Sequence, residues 1–163
     1  MSGTPILTTI RQTMALLIGG MTTATGYNFN WGAINNRNYA IGNFPRAEIY
    51  CGEENIDEKD GVSSQDYTND ANFEIRVAGK LITSSVNPLF DIDNTFDMAI
   101  DDLKQLFGYN NNVSGTCTEI MYKGFKRTES SGSGDQFIPA KVTVRFKVTY
   151  SQDRHTPTLP ASS

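Results

Sequence analysis

The chain has 163 residues, of which 38% are hydrophobic, and a formal net charge of −4. This length supports one hydrophobic core and does not require a second domain, so we expect a single domain over residues 1–163. The acidic balance does not favour specific nucleic-acid recognition. No apolar run approaches the roughly 20 residues that span a bilayer, so no membrane partner is expected.

The first predicted element is a helix that begins at Thr4 and Pro5 and runs to about Ile18. Thr can cap a helix and Pro fits its first position, while Gly19 and Gly20 can end it in left-handed geometry. An apolar stripe recurs at helical spacing: Ile6, Ile10, Met14, Leu17, Ile18 and Met21. Because this stripe begins close to the N-terminus and no Lys or Arg lies among the first ten residues, it favours a helix over a secretory signal.

Three strands are predicted next, at about Tyr27 to Trp31, Arg46 to Cys51 and Phe73 to Leu81, the last two from their alternating patterns. Between the second and third strands, Gly52 to Asp70 contains seven acidic residues and one lysine. This pattern predicts a hairpin with a long acidic loop, which is solvated or bound by a partner.

A second helix is predicted from Asp93, as its cap, to Gly108, because apolar residues recur at three- and four-residue spacing. Residues Thr116 to Tyr150 then form a long β-hairpin with a polar tip at Glu129 to Asp135. Its second arm, Gln136 to Tyr150, would extend roughly 50 Å at about 3.3 Å per residue. We therefore expect part of the hairpin to protrude or to pair with another chain. Residues 151–163 are predicted to form a flexible tail.

The order of the elements indicates an α+β fold, with an antiparallel or mixed sheet, two helices packed on it and a long C-terminal hairpin.

The sequence offers no catalytic constellation, so we expect a protein that is not an enzyme and that needs no cofactor. The single histidine, His155, lies in the predicted tail, where a hydrolase triad would depend on a mobile residue. An EF-hand with its glycine at Gly61 would need its first ligand at Ile56, which cannot bind a cation, so we predict no metal site of this kind. Cys51 and Cys117 lie far apart and are expected to be reduced and half-buried.

Two charged sets are candidates for contacts with other subunits or with a partner. The acidic set comes from the predicted loop and the basic set from the final strand; they are Glu53, Glu54, Asp57, Glu58 and Asp60, and Lys141, Arg145 and Lys147. Lys123 and Arg127 on the preceding arm are expected to extend the basic face. A solvent-exposed face that blunts an edge strand explains the basic set equally well.

The arrangement of these elements resembles the tail terminator family of long-tailed bacteriophages, which includes the minor tail protein U of phage lambda. The resemblance covers most of the chain and rests on element order. It is carried by the helix Ile6 to Ile18, the strands Phe44 to Tyr50, Asn72 to Leu81 and Val142 to Tyr150, and the helix Phe90 to Gly108.

The resemblance implies a virion protein of the phage tail, assembled in the host cytoplasm, whose subunits form a hexameric ring. Such a ring caps the tail tube, ends tail polymerisation and provides the surface for head-tail joining. Its partners would be copies of itself, the tail tube protein and the head-tail connector. Alternatives are a neck or head-completion protein, a tail-tube subunit and, from another class, a secreted binding module.

Overall fold

The structure is a computed structural model that describes residues 3–33, 44–56, 66–82, 88–128 and 137–153. Two helices lie in these ranges, α1 (Ile6–Gly19) and α2 (Pro88–Tyr109). The strands are β1 (Gly32–Ala33), β2 (Arg46–Ile56), β3 (Asp66–Ile82), β4 (Glu119–Thr128) and β5 (Phe137–Asp153). A short 3₁₀ turn at Thr23–Thr25 follows α1.

The described strands form one sheet in the order β1-β2-β3-β5-β4. The four long strands pair antiparallel, whereas β1 runs parallel to β2 over two residues. The chain therefore has the predicted α+β fold with a mixed sheet, and β4 and β5 form the predicted C-terminal hairpin.

Both helices pack on one face of the sheet, and the hydrophobic core lies between the helices and that face. Helix α1 buries Ile6, Ile10, Met14 and Ile18, which recur at four-residue spacing and so lie on one side of the helix. Alternate residues of β5 belong to the same core, as the period-two pattern predicted; they are Val142, Val144, Phe146, Val148 and Tyr150. Each fully buried aliphatic or aromatic side chain contributes about 1.5–3 kcal/mol to folding.

The bounds of the first helix were predicted nearly correctly, but the interactions predicted to cap its two ends were wrong. Pro5 occupies the N-cap position and no side chain caps the helix there, so Thr4 is not the N-cap residue that the sequence predicted. At the other end, Gly20 has φ −84°, which is right-handed and within reach of any residue.

Two predicted local structures are wrong. Tyr27 to Trp31 is not a strand, and β1 lies directly after it, at Gly32 and Ala33. Asp93 does not cap α2, because the helix begins earlier, at Pro88.

The expectation that the second arm of the final hairpin is too long to find its full partner within the same chain is also corrected. Strand β5 does not lack a partner, because all 17 of its residues pair with β3 of the same chain, from Phe137 opposite Ile82 to Asp153 opposite Asp66. Strand β3 is itself 17 residues long and extends well beyond the predicted bounds. Between Lys141 and Thr149, β5 has β3 on one side and β4 on the other, so pairing with another chain along this span can occur only at the outer strands.

Candidate interaction surface

The face of the sheet opposite the helices, here called the open face, carries a polar surface divided by charge. Side chains that alternate with the core residues point to this face. The β2 and β3 half carries Arg46, Glu48, Tyr50, Glu53, Asp70, Asn72, Glu74 and Arg76, whereas the β5 and β4 half carries Lys141, Thr143, Arg145, Lys147, Thr149, Glu119, Met121, Lys123 and Lys126. Acidic residues thus predominate on one half and basic residues on the other.

Contacts across neighbouring strands tie the two halves together. The hydroxyl of Thr149 donates a 2.8 Å hydrogen bond to Asp70, and Lys147 Nζ lies 3.8 Å from the same carboxylate. Within the β2 and β3 half, the guanidinium of Arg76 lies 4.4 Å from the ring centre of Tyr50 and 3.2 Å from Glu74 Oε2. These side chains are partly exposed, so each ion pair contributes at most about 1 kcal/mol to stability.

A shallow groove of about 500 Å³ crosses the middle of the open face. Glu53 and Glu74 line it from the acidic half, and Lys123 and Arg145 from the basic half. A groove with walls of opposite sign matches a partner surface that also carries both signs, whereas a polymer of uniform charge would be repelled by one wall.

A β-bulge interrupts each outer strand beside this groove. In β2 the register shifts between Cys51 and Glu53, and in β4 it shifts between Tyr122 and Gly124. A bulge bends its strand and increases the local twist. Gly124 has φ 112°, a conformation that glycine adopts without steric cost, which explains its place in the β4 bulge.

The predicted basic residues lie together as expected, with one exception. Lys141 and Arg145 are exposed on the open face, Lys147 is half-buried there, and Lys123 lines the groove. Arg127 lies on the opposite face, because the bulge in β4 shifts the alternation by one residue. There it forms an ion pair with Asp93 and lies 4.7 Å from the ring centre of Phe96.

The predicted acidic loop is shorter than expected, because β2 continues through Ile56 and β3 begins at Asp66. Glu53 points to the open face and accepts a 3.3 Å hydrogen bond from Asn72. Glu54 points to the helix-covered face, where it accepts a hydrogen bond from the hydroxyl of Tyr150. Asp57, Glu58 and Asp60 lie outside the described residues.

Sequence reasoning missed Glu48, Tyr50, Glu74 and Lys126 as members of this surface. The same alternation that predicted the core also places them opposite it, so the signal was present in the strand pattern. The charge division was not visible, because it depends on the order of the strands in the sheet.

Both cysteines are free and half-buried, as predicted. Burial raises the pKa of the Cys117 thiol to about 11, and it also raises the pKa of Cys51. These thiols are therefore protonated at neutral pH and are weak nucleophiles and metal ligands.

Within the described ranges, no group of three or more His, Cys, Asp or Glu side chains is placed to hold a metal ion. Neither described helix is long and apolar enough to cross a membrane. His155, the candidate for acid-base chemistry, lies outside those ranges.

Comparison with known proteins identified no family model that matches the chain. No curated protein sequence matches it at a significant level.

Proposed function

We propose that this chain is a virion structural protein whose copies close into a ring on the end of a phage tail tube. The ring is hexameric, as in the tail terminator family that the sequence resembles. It ends tail polymerisation and provides the surface to which the head-tail connector binds, so the partners are further copies of the chain, the tail tube protein and the connector. Assembly takes place in the host cytoplasm.

The observation that carries this proposal is that the described strands leave most of both outer edges of the sheet uncovered. Among them, β4 is the last strand on one side, and on the other side β1 covers Arg46 and Ala47 of β2. An open sheet edge presents unpaired backbone groups that a further strand can bind. Two open edges on one subunit allow each copy to contact two neighbours.

A subunit with two different contact surfaces assembles head to tail. If the rotation between neighbours closes, the product is a ring with no remaining edges, and if it does not close, the product is a filament. A closed ring can stop the growth of a tube on one side while it presents a different surface on the other. The charge-divided open face supplies a polar surface for such a partner.

The test is native mass spectrometry of the purified protein, followed by electron microscopy after mixing with purified tail tubes. We expect a single six-subunit species that binds the tube end and prevents further addition of tube protein. Filaments would instead support a tail-tube subunit. A monomer at high concentration would overturn the ring, and an intact mass that lacks the N-terminal segment would favour the secreted binding module.

A further inference from the structure

Among the residues that the structure describes, the two outer edges of the sheet lack a neighbouring strand over similar lengths. On β2, β1 pairs with Arg46 and Ala47, and no described strand pairs with the outer side of Glu48–Ile56, here called the β2 edge. On β4, the carbonyl oxygen of Asn111 accepts a 2.8 Å hydrogen bond from the backbone N–H of Ile120. No described strand pairs with the outer side of the remaining Met121–Thr128, here called the β4 edge.

The two edges carry opposite charge. The β2 edge contains the acidic residues Glu48, Glu53 and Glu54 and no basic residue. The β4 edge contains the basic residues Lys123, Lys126 and Arg127 and no acidic residue. Contact between unlike edges is therefore attractive, and contact between two copies of the same edge is repulsive.

The directions of the strands also fit contact between unlike edges. The four long strands alternate in direction, so β2 and β4 run in opposite directions within one subunit. When the β4 edge of one copy meets the β2 edge of a copy in the same orientation, the new pair is antiparallel and can continue the existing hydrogen-bond pattern.

The charged side chains then meet on one face. Glu48 shares the open face with its partner Arg76, and Lys126 shares it with its partner Thr143. Glu53 and Lys123 line the groove on the same face. In a sheet that continues from copy to copy, these acidic and basic side chains lie across the junction as cross-strand neighbours, which stabilise each other by about 0.2–1 kcal/mol per pair.

We propose that the β4 edge of one copy pairs with the β2 edge of the next in an antiparallel, head-to-tail junction. The partner is a second copy of this chain. This proposal rests on the proposed ring and specifies which surfaces join the subunits of that ring. A two-fold contact between two β4 edges would place the basic residues Lys123, Lys126 and Arg127 of one copy against the same residues of the other, which is repulsive. Charges and bulges also protect the edges of monomeric proteins, but opposite signs on the two edges attract each other and so do not prevent edge pairing.

Charge reversal in complementary variants tests the junction. The first variant is Lys123→Glu with Lys126→Glu, and the second is Glu48→Lys with Glu53→Lys. Each alone gives a subunit with two edges of the same sign, so we expect each to dissociate at concentrations at least roughly tenfold above those at which the unmodified ring dissociates. An equimolar mixture restores assembly, because the two variants alternate, and native mass spectrometry detects equal numbers of both.

The chain offers a matched control on helix α2, outside the open face and both edges. Asp97→Lys with Asp101→Lys reverses two acidic residues that are exposed on this helix. This variant changes the net charge as much as the second one does and is expected to assemble normally. The variant with all four edge residues reversed is also expected to assemble by itself.

The outcomes separate this junction from the ring itself. If the unmodified protein forms rings and the reversed variants assemble equally well alone, the junction is wrong and the ring remains. If the mixture fails to recover while both variants remain folded by circular dichroism, the junction is likewise wrong. If the unmodified protein is a monomer, both proposals are overturned. Should a double reversal unfold, Lys126→Glu and Glu53→Lys, both at exposed positions, repeat the test singly.

Discussion

The indole Nε1 of Trp31 donates a 2.9 Å hydrogen bond to Oδ2 of Asp102, which is buried in the middle of α2. The same carboxylate accepts hydrogen bonds from the backbone N–H and the side-chain amide of Asn28, each at 2.9 Å to Oδ1. Asp102 therefore holds the segment that follows α1 against α2. This segment leads into β1, which covers one end of the outer side of β2.

Replacement of Asp102 by Ala is expected to lower the free energy of unfolding by about 3 kcal/mol, because it leaves the buried indole N–H and the Asn28 donors without their acceptor. Urea denaturation followed by circular dichroism measures the change. Asp97→Ala is the control, since Asp97 is exposed on the same helix and its loss should change the free energy by no more than about 0.5 kcal/mol. Equal losses of stability in the two variants would show that the carboxylate of Asp102 does not hold the segment after α1 against α2.

Replacement of Tyr150 by Phe is expected to cost about 1 kcal/mol of unfolding free energy. Its hydroxyl is hydrogen-bonded to Glu54 and to the buried Asn69, and the pKa of Tyr150 is raised by burial and by the Glu54 carboxylate. The control is Tyr50→Phe, because Tyr50 is 46% exposed and water can replace the contacts of its hydroxyl. A loss at Tyr50 as large as the loss at Tyr150 would contradict the assignment.

Replacement of Gly124 by Ala should destabilise the fold by about 1–3 kcal/mol through backbone strain at its positive φ. Steric crowding is not the cause, because the nearest atom to a new Cβ is Arg145 Nη2 at 3.9 Å. Gly108→Ala is a control of opposite sign: Gly108 lies in α2 with no contact to a new Cβ within 4 Å, and Ala is favoured over Gly in a helix by about 1 kcal/mol. Thermal unfolding distinguishes the two, and a stabilised Gly124→Ala variant would refute the strained bulge.

The thiol of Cys117 is expected to react slowly at about pH 8. A pKa of about 11 in place of 9.0 makes its thiolate fraction on the order of a hundredfold smaller than that of an unperturbed thiol. A thiol-specific chromogenic reagent, applied to a Cys51→Ala variant, measures this rate in native buffer and in concentrated urea. The native rate should rise with pH up to about 11, and a plateau near pH 9 would contradict the raised pKa.

The sign of the linked effect on stability follows from the same shift. Because folding raises the pKa of Cys117, the folded state favours the protonated thiol. The contribution is complete below about pH 9 and is lost as the pH rises towards 11. A Cys117→Ala variant should therefore show a weaker loss of stability over this interval than the unmodified chain.

The sequence predicted those parts of the fold that depend on local periodicity. The stripe of α1 and the alternation of β5 both identify the buried face, because burial requires one side of each element to be apolar. The β4 bulge was not predicted, although it reverses the side on which Arg127 lies. The contact between Trp31 and Asp102 joins residues 71 positions apart, and no local pattern encodes it.

For the candidate interaction surface, the sequence identified the charged residues of β5 but not how the charges are arranged on the sheet. The basic side chains of β5 were identified because they alternate with its core residues. Their separation from the acidic half depends on the strand order, in which β5 lies between β3 and β4, and a sequence pattern does not specify that order. The strand bounds at Gly52–Ile56 were missed because polar residues in an outer strand have the composition of a loop.

The anchoring of β4 to α2 has a consequence for the speed of the proposed association. Lys104 lies 4.6 Å from the ring centre of Tyr122, and Arg127 contacts both Phe96 and Asp93, so these contacts within one chain hold the outer strand against α2. In the proposed junction, a neighbouring copy would therefore dock as a rigid body and order little additional chain, which keeps the entropic penalty small. For two such preformed surfaces we expect an association rate constant of about 10⁵–10⁷ M⁻¹s⁻¹, without the delay of a folding step.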